Sequence, residues 1–180
     1  PNWKQLGDIF YLKIYNKPPG KDERYLSTAK LAGDFESLYG RTELNKLLKN
    51  VIPYDKYRPS ALHKRLLQLP WQDVYTTNYD QLLESAIGDV SNFNYQIIEY
   101  PKALSFSESP KIVKLHGSFP DKTPFIITEE DYRKYNQKFS LFVNEVQQSL
   151  VKNILCLIGF SGDDPNYKQW LGWLKDNLGK

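Results

Sequence analysis

Hydrophobic residues recur at three- and four-residue steps through the first third of the chain: Trp3, Leu6, Ile9 and Phe10, then Phe35, Leu38 and Tyr39, then Leu44, Leu47, Leu48 and Val51. That spacing keeps one face of a helix apolar, so this third is predicted to be helical. Pro18-Pro19-Gly20 and Pro53 separate the segments, because proline lacks the amide a helix interior needs. Ser60 is placed to cap a further helix carrying Leu62, Leu66, Leu67 and Leu69, which Pro70 ends. From Asp73 the period changes, and short strand-like runs at 73–77, 95–100, 111–115, 124–128 and 154–159 alternate with loops and helix starts. The run Ile154-Leu155-Cys156-Leu157-Ile158 is continuously apolar, the pattern of a parallel strand covered on both faces, and predicts a central strand. Helical spacing resumes on either side of it, with Phe139, Phe142, Val143, Val146 and Leu150 before and Trp170, Trp173, Leu174 and Leu178 after. The predicted fold is therefore α/β and Rossmann-like, a mostly parallel sheet with helices on both faces and a helical N-terminal third. In such sheets ligands sit beyond the carboxyl ends of the strands.

Composition narrows the function classes. A chain of 180 residues with 41% hydrophobic and 25% charged residues fits one soluble domain, residues 1–180, and no apolar run approaches the roughly 18 residues of a membrane span. The single cysteine, Cys156, excludes an internal disulfide, and with His63 and His116 it falls short of a structural zinc set. A net charge of +3 argues for no particular partner. Arg41, Lys46, Lys49, Lys56, Arg58, Lys64 and Arg65 cluster within 41–65 without an aromatic stacking motif, which fits a solvated face better than a nucleic-acid surface. There is no methionine, and Pro1-Asn2-Trp3 opens the chain without a signal pattern, so the expectation is a piece of a longer cytoplasmic protein.

Three strand ends carry candidate chemistry. Thr77-Asn78-Tyr79-Asp80 follows the first strand; Asn78 has an N-cap reading, but the same geometry points an amide and a carboxylate into the ligand crevice. Lys114-Leu115-His116-Gly117 ends the third run with an imidazole beside a glycine, a better base candidate than His63, which lies among Leu62, Lys64 and Arg65 on a helix. Gly159-Phe160-Ser161-Gly162-Asp163-Asp164-Pro165-Asn166 follows the apolar run; its glycines allow close backbone approach and Ser161 offers a hydroxyl, while an aspartate before Pro165 is explained by helix capping alone.

In this order, on this scaffold, the three segments resemble the sirtuin-like NAD-consuming domains of bacterial anti-phage defence proteins. The resemblance extends to Tyr79 within the Asn-x-Asp motif, to Glu130-Asp131-Tyr132 and to Asp164-Pro165. It implies an NAD+ glycohydrolase releasing nicotinamide and ADP-ribose or a cyclic product, as the effector of an abortive-infection system. His116 and Asn78 would be catalytic, Thr77, Asp80, Gly117, Gly159, Phe160 and Ser161 would bind NAD, and no metal would be needed. It also implies a sensor domain or partner subunit outside these residues, a homo-oligomeric full-length protein, and neither membrane nor nucleic-acid contact. Two departures stand out. The family's Gly-rich phosphate loop and the strand before it are missing, and Pro1-Asn2-Trp3 resembles the residues immediately downstream of that loop. The four-cysteine zinc module of protein-deacylating sirtuins is also missing, which favours NAD hydrolysis over the alternative of peptide deacylation, and intact Asn78 and His116 argue against the other alternative, a silent nucleotide-sensing module.

Overall fold

Helix α1 (Trp3–Tyr15) starts where its first-turn amides find partners: the Asn2 side chain accepts from the Gln5 amide at 2.8 Å, and the Gln5 side chain accepts from the Asn2 amide at the same distance. Its apolar stripe buries Leu6, Phe10 and Tyr11 against Leu31, Ala32 and Phe35 of α2 (Thr28–Tyr39) and Leu44 and Leu48 of α3 (Arg41–Val51). Each large side chain enclosed in this way contributes about 1.5–3 kcal/mol, so the predicted helical third holds through its own core. Ser60 caps α4 (Ala61–Leu67) as expected, and His63, its partner in the cap, lies 2.8 Å from the Ser60 hydroxyl in a purely structural role. Of the seven basic residues in 41–65, Arg41, Lys46, Lys49 and Lys64 pair with carboxylates of the same chain.

This computed structural model describes residues 2–23, 26–122, 124–159, 162 and 164–178. Strands β1 (Asp73–Thr76), β2 (Gln96–Ile98) and β3 (Lys111–Lys114) form a fully parallel sheet in the order β1-β3-β2. Helix α5 (Leu82–Ala86) follows β1, while α6 (Glu129–Lys138), α7 (Ser140–Lys152) and α8 (Pro165–Leu178) follow β3. Alternate residues of β3 face opposite layers. Ile112 packs with Val74, Leu67 and Ala86 on the α4/α5 side, and Val113 packs with Ile98, Tyr135, Phe142, Val146 and Trp170 on the other. The α/β, Rossmann-like architecture with helices on both faces is therefore present, and α1–α3 close over the carboxyl edge by packing on Tyr79, Phe119, Phe125 and Ile127.

Two strand expectations are corrected. Residues 124–128 lie outside the sheet although Phe125, Ile126, Ile127 and Thr128 are buried, because their backbone is satisfied by loop contacts: the Ile126 amide donates to the His116 carbonyl at 3.0 Å, and the Tyr79 hydroxyl donates to the Ile126 carbonyl. The run 154–158 is not the central strand. β3 is central, and Ile154, Leu155, Leu157 and Ile158 are exposed, with Ile154 at 98%. A continuous apolar run specifies burial only when a neighbouring strand completes its hydrogen bonds, and none of the described residues pairs with this segment.

The contrast yields a direct test by thermal or urea melting of this chain. Ile112→Ala, at a site with no exposed area, should cost about 2–5 kcal/mol, whereas Ile154→Lys should change stability by less than about 0.5 kcal/mol. Comparable losses at both positions would mean that 154–158 is buried after all.

Candidate functional site

The register of the parallel ladder builds the site. Thr76 of β1 pairs with Lys114 of β3, and Asn78 and His116 each lie two residues beyond that pair, so both emerge at the same carboxyl edge from adjacent strands. Bonding continues past the strands: the Leu115 amide donates to the Thr76 carbonyl at 2.9 Å and the Phe119 amide to the Tyr79 carbonyl at 2.8 Å. The two loops leave the sheet zipped together.

Asn78 is exposed, and its backbone amide donates to the Thr76 hydroxyl at 3.1 Å. The capping alternative for Asn78 is corrected, because α5 begins only at Leu82 and it is Asp80 whose side chain accepts the Leu82 amide, at 3.1 Å. Thr77 and Asp80 are half-buried beside it. Tyr79 points the other way, edge-on to Phe119 and Phe125 at 5.8 and 5.4 Å between ring centroids, with its hydroxyl 2.6 Å from the Ile126 carbonyl. An inward anchor of this size forces its two neighbours outward, and that is how the motif presents Asn78.

His116 is 2% exposed. The rings of Tyr132 and Tyr135 from α6 stand edge-on to it at 5.5 and 5.8 Å, and the Tyr135 hydroxyl fixes the preceding residue by donating to the Leu115 carbonyl at 2.9 Å. The Asn166 side-chain nitrogen lies 3.1 Å from His116 Nε2, so the amide donates and the ring nitrogen accepts. Asp164 Oδ2 lies 3.8 Å from the same nitrogen. Burial pushes the imidazole pKa down to about 3, against a smaller opposing pull from Asp131, so the folded ring is neutral at pH 7. Burial also pushes the Asp164 carboxyl up. Gly117 adopts φ +93°, and a Cβ there would stand 2.7 Å from the Lys122 carbonyl oxygen and 2.8 Å from that of Pro124, so its smallness serves the turn itself.

The third segment is placed only in part. Gly159 is exposed at φ +62°, while Phe160, Ser161 and Asp163 lie outside the described residues. Asp164 takes the capping role, its Oδ1 accepting the amides of Asn166 at 2.9 Å and Tyr167 at 3.1 Å ahead of Pro165 at the first position of α8. The same turn delivers Asn166 to His116, a contact for which the sequence pattern gives no role; an amide two residues past an Asp-Pro helix start is its only signal. Tyr135 and Lys114 likewise read as ordinary helix and strand positions. Among the described residues no group of three or more His, Cys, Asp or Glu side chains is arranged to hold a metal ion, and no helix is long and apolar enough to cross a membrane.

The family profile described as SIR2-like domain matches residues 72–180, more than half of the chain. The chain is 24% identical over 181 residues to Defense-associated sirtuin 2 of Bacillus subtilis, covering 97% of this chain and 18% of that protein. It is 29% identical over 170 residues to NAD(+) hydrolase ThsA of Acinetobacter baumannii, covering 92% of this chain and 34% of the relative. With NAD(+) hydrolase ThsA of Cytobacillus dafuensis it shares 27% identity over 189 residues, 99% of this chain and 36% of the relative. The chain thus spans roughly a fifth to a third of the length of these curated relatives.

Two measurements check the geometry. The unfolded histidine titrates near about 6.5, so between there and pH 3 the unfolded chain binds a proton that folded His116 refuses, and stability falls on acidification by up to about 1.4 kcal/mol per pH unit. Urea midpoints between pH 7 and 4.5 should therefore drop less steeply in His116→Gln than in the wild type; parallel slopes would mean that the imidazole ionises freely when folded. Gly117→Ala should lower stability by about 1–3 kcal/mol through strain at positive φ, and a wild-type melt would refute the tight turn.

Proposed function

The chain belongs to the SIR2-like domain family, and from that membership we propose that it cleaves the nicotinamide–ribose bond of NAD+ as the catalytic part of a longer anti-phage defence protein. The observation that carries the reading is the ladder register that sends Asn78 and His116 out together at one edge of a parallel sheet, where ligands of such folds bind. The names of the relatives support the same chemistry, four of them being NAD(+) hydrolases, from Acinetobacter baumannii, Bacillus cereus, Enterococcus faecium and Cytobacillus dafuensis.

In hydrolysis, a water oxygen bonds to the ribose C1′ as the bond from C1′ to the pyridinium nitrogen breaks. The electron pair of that bond stays with nicotinamide, which departs neutral and needs no general acid. Positive charge builds on the ribose in an oxocarbenium-like transition state, so the task of the protein is positioning and removal of the water proton. Asn78, exposed at the crevice, orients the ribose or the water. Asp80, half-buried two residues on, holds the nicotinamide carboxamide. His116 takes the proton on Nε2, which requires the Asn166 amide to yield that nitrogen to the substrate side; a base with a pKa near 3 is too weak for the task until its ring is released from its enclosure. Gly117 shapes the turn beneath the ribose, and Thr77 borders it. Gly159 borders the adenosine side, a role the resemblance also gives to Phe160 and Ser161, which lie outside the described residues. A hydroxyl of the adenosine ribose bonding to C1′ in place of water, with its proton passing to the same base, gives the cyclic product at the same site. A sensor region elsewhere in the longer protein, a homo-oligomeric state, a cytoplasmic location and an abortive-infection outcome belong to this reading as well.

The test is nicotinamide release by the full-length protein under activating conditions, followed by chromatography, with a melt of each variant. His116→Ala and Asn78→Ala should each lower turnover on the order of 10²-fold or more; the melt of the exposed Asn78 variant should stay near wild type, while that of His116→Ala should fall because the ring is buried against Tyr132 and Tyr135. Wild-type turnover by a folded His116→Ala protein would sink the mechanism.

A further inference from the structure

Lys114 is 1% exposed on the most enclosed strand of the sheet, where an aliphatic residue would pack without the desolvation cost of an ammonium. Its Nζ lies 2.8 Å from Glu84 Oε1 on α5 and donates a hydrogen bond to the main-chain carbonyl of Asp80. The Glu84 carboxylate, itself buried, makes no aligned hydrogen bond, so it balances the charge, while the directed contact of the lysine goes to the Asn78–Asp80 loop. β3 supplies its own control. Lys111, three residues earlier, is also buried and also paired, with Glu145 at 2.5 Å and Asp73 at 3.8 Å, but at the amino end of the strands, away from the site. The same strand thus carries two buried cations, and only the one at the carboxyl end reaches the main chain of a candidate catalytic loop.

We infer that Lys114 is a positioning residue: by holding the Asp80 carbonyl it fixes the loop that presents Asn78 at a set place relative to His116, two residues along its own strand. For its activity readout the inference rests on the NAD cleavage proposed above. The alternative is that Lys114 and Glu84 are merely a charge pair whose removal together costs nothing specific.

The experiment compares wild type, Lys114→Met, Glu84→Gln, the double variant Lys114→Met/Glu84→Met and Lys111→Met in the full-length protein. It reads melting temperature, kcat and KM for NAD+, and amide hydrogen exchange of residues 78–81. Lys114→Met alone should be destabilised, because it leaves Glu84 buried without a counter-charge. The double variant should regain stability yet keep kcat lower by on the order of 10- to 10²-fold, with KM changed far less and exchange at 78–81 accelerated, as expected of a displaced catalytic group. Glu84→Gln retains the bond from lysine to the Asp80 carbonyl and should keep kcat near wild type. Lys111→Met should lower the melt and leave kcat unchanged. Recovery of wild-type kcat in the folded double variant overturns the inference, and so does a Glu84→Gln loss equal to that of Lys114→Met. If the wild type releases no nicotinamide, the proposed function fails, while exchange at 78–81 still decides the positioning role: rates in Lys114→Met or the double variant equal to wild type would refute it.

Discussion

Enclosure of β3 is the constraint on which the rest of the molecule depends. It has a parallel neighbour on each edge and a helical layer on each face, and all four of its residues are buried. Anything polar on such a strand has to be answered locally. Lys111 is answered by Asp73 and Glu145, and Lys114 by Glu84 and the Asp80 carbonyl. Those partners come from β1, α7, α5 and the loop beyond β1, so satisfying one strand already orients much of the domain. Removing either member of the Lys114–Glu84 pair leaves a buried charge without its counter-charge, which is far more costly than the pair is stabilising.

The helical N-terminal third is tied to the same edge by two cations of α3, Lys49, which bonds to Asp121 at 2.8 Å, and Arg41. Arg41, at the start of α3, bonds to Asp131 at 2.9 Å, to the Phe125 carbonyl and to Glu36 at 3.2 Å. Asp131 in turn accepts the amides of Ile127 and Thr128 at 3.1 Å and forms the cap of α6, the helix that brings Tyr132 and Tyr135 against His116. The apolar contact of α1–α3 with Tyr79, Phe119 and Phe125 closes the circuit. Loops that would otherwise be mobile at a sheet edge are therefore packed from above by helices distant in sequence.

Periodicity made much of this legible, and where it did not, long-range partners were the reason. The three-four spacing of Leu6, Phe10, Leu44 and Leu48 encodes a face directly, and α1 and α3 formed where it lay. The strand ends at Asn78 and His116 were recognisable because a polar residue and a glycine interrupt apolar runs. The run 154–158 misled because apolarity reports a demand for burial, while strand formation also needs a neighbour to bond with. Residues 124–128 misled in the opposite way, being buried with their hydrogen bonds spent on loops. Asn166 carried no local mark, since its importance lies in a contact fifty positions away in sequence.

The candidate site is asymmetric, and the asymmetry bears on how chemistry would begin there. Asn78 faces solvent, whereas His116 is walled in by two tyrosines with its Nε2 occupied by an amide. A neutral, enclosed imidazole is favoured here because burial penalises the charged ring more than Asp131 favours it, and Asn166 satisfies the one lone pair that would otherwise be left bare. The arrangement favours the fold at the expense of basicity. On the proposed reading, proton transfer requires the Asn166 amide to leave Nε2, and the capping turn of α8 carries both Asn166 and Asp164. The Asp164 carboxylate, 3.8 Å from Nε2, would then face an imidazole accepting a proton, and an opposite charge at that range raises the basicity that burial suppresses. One turn of one helix thereby governs both the shelter of the base and its strength.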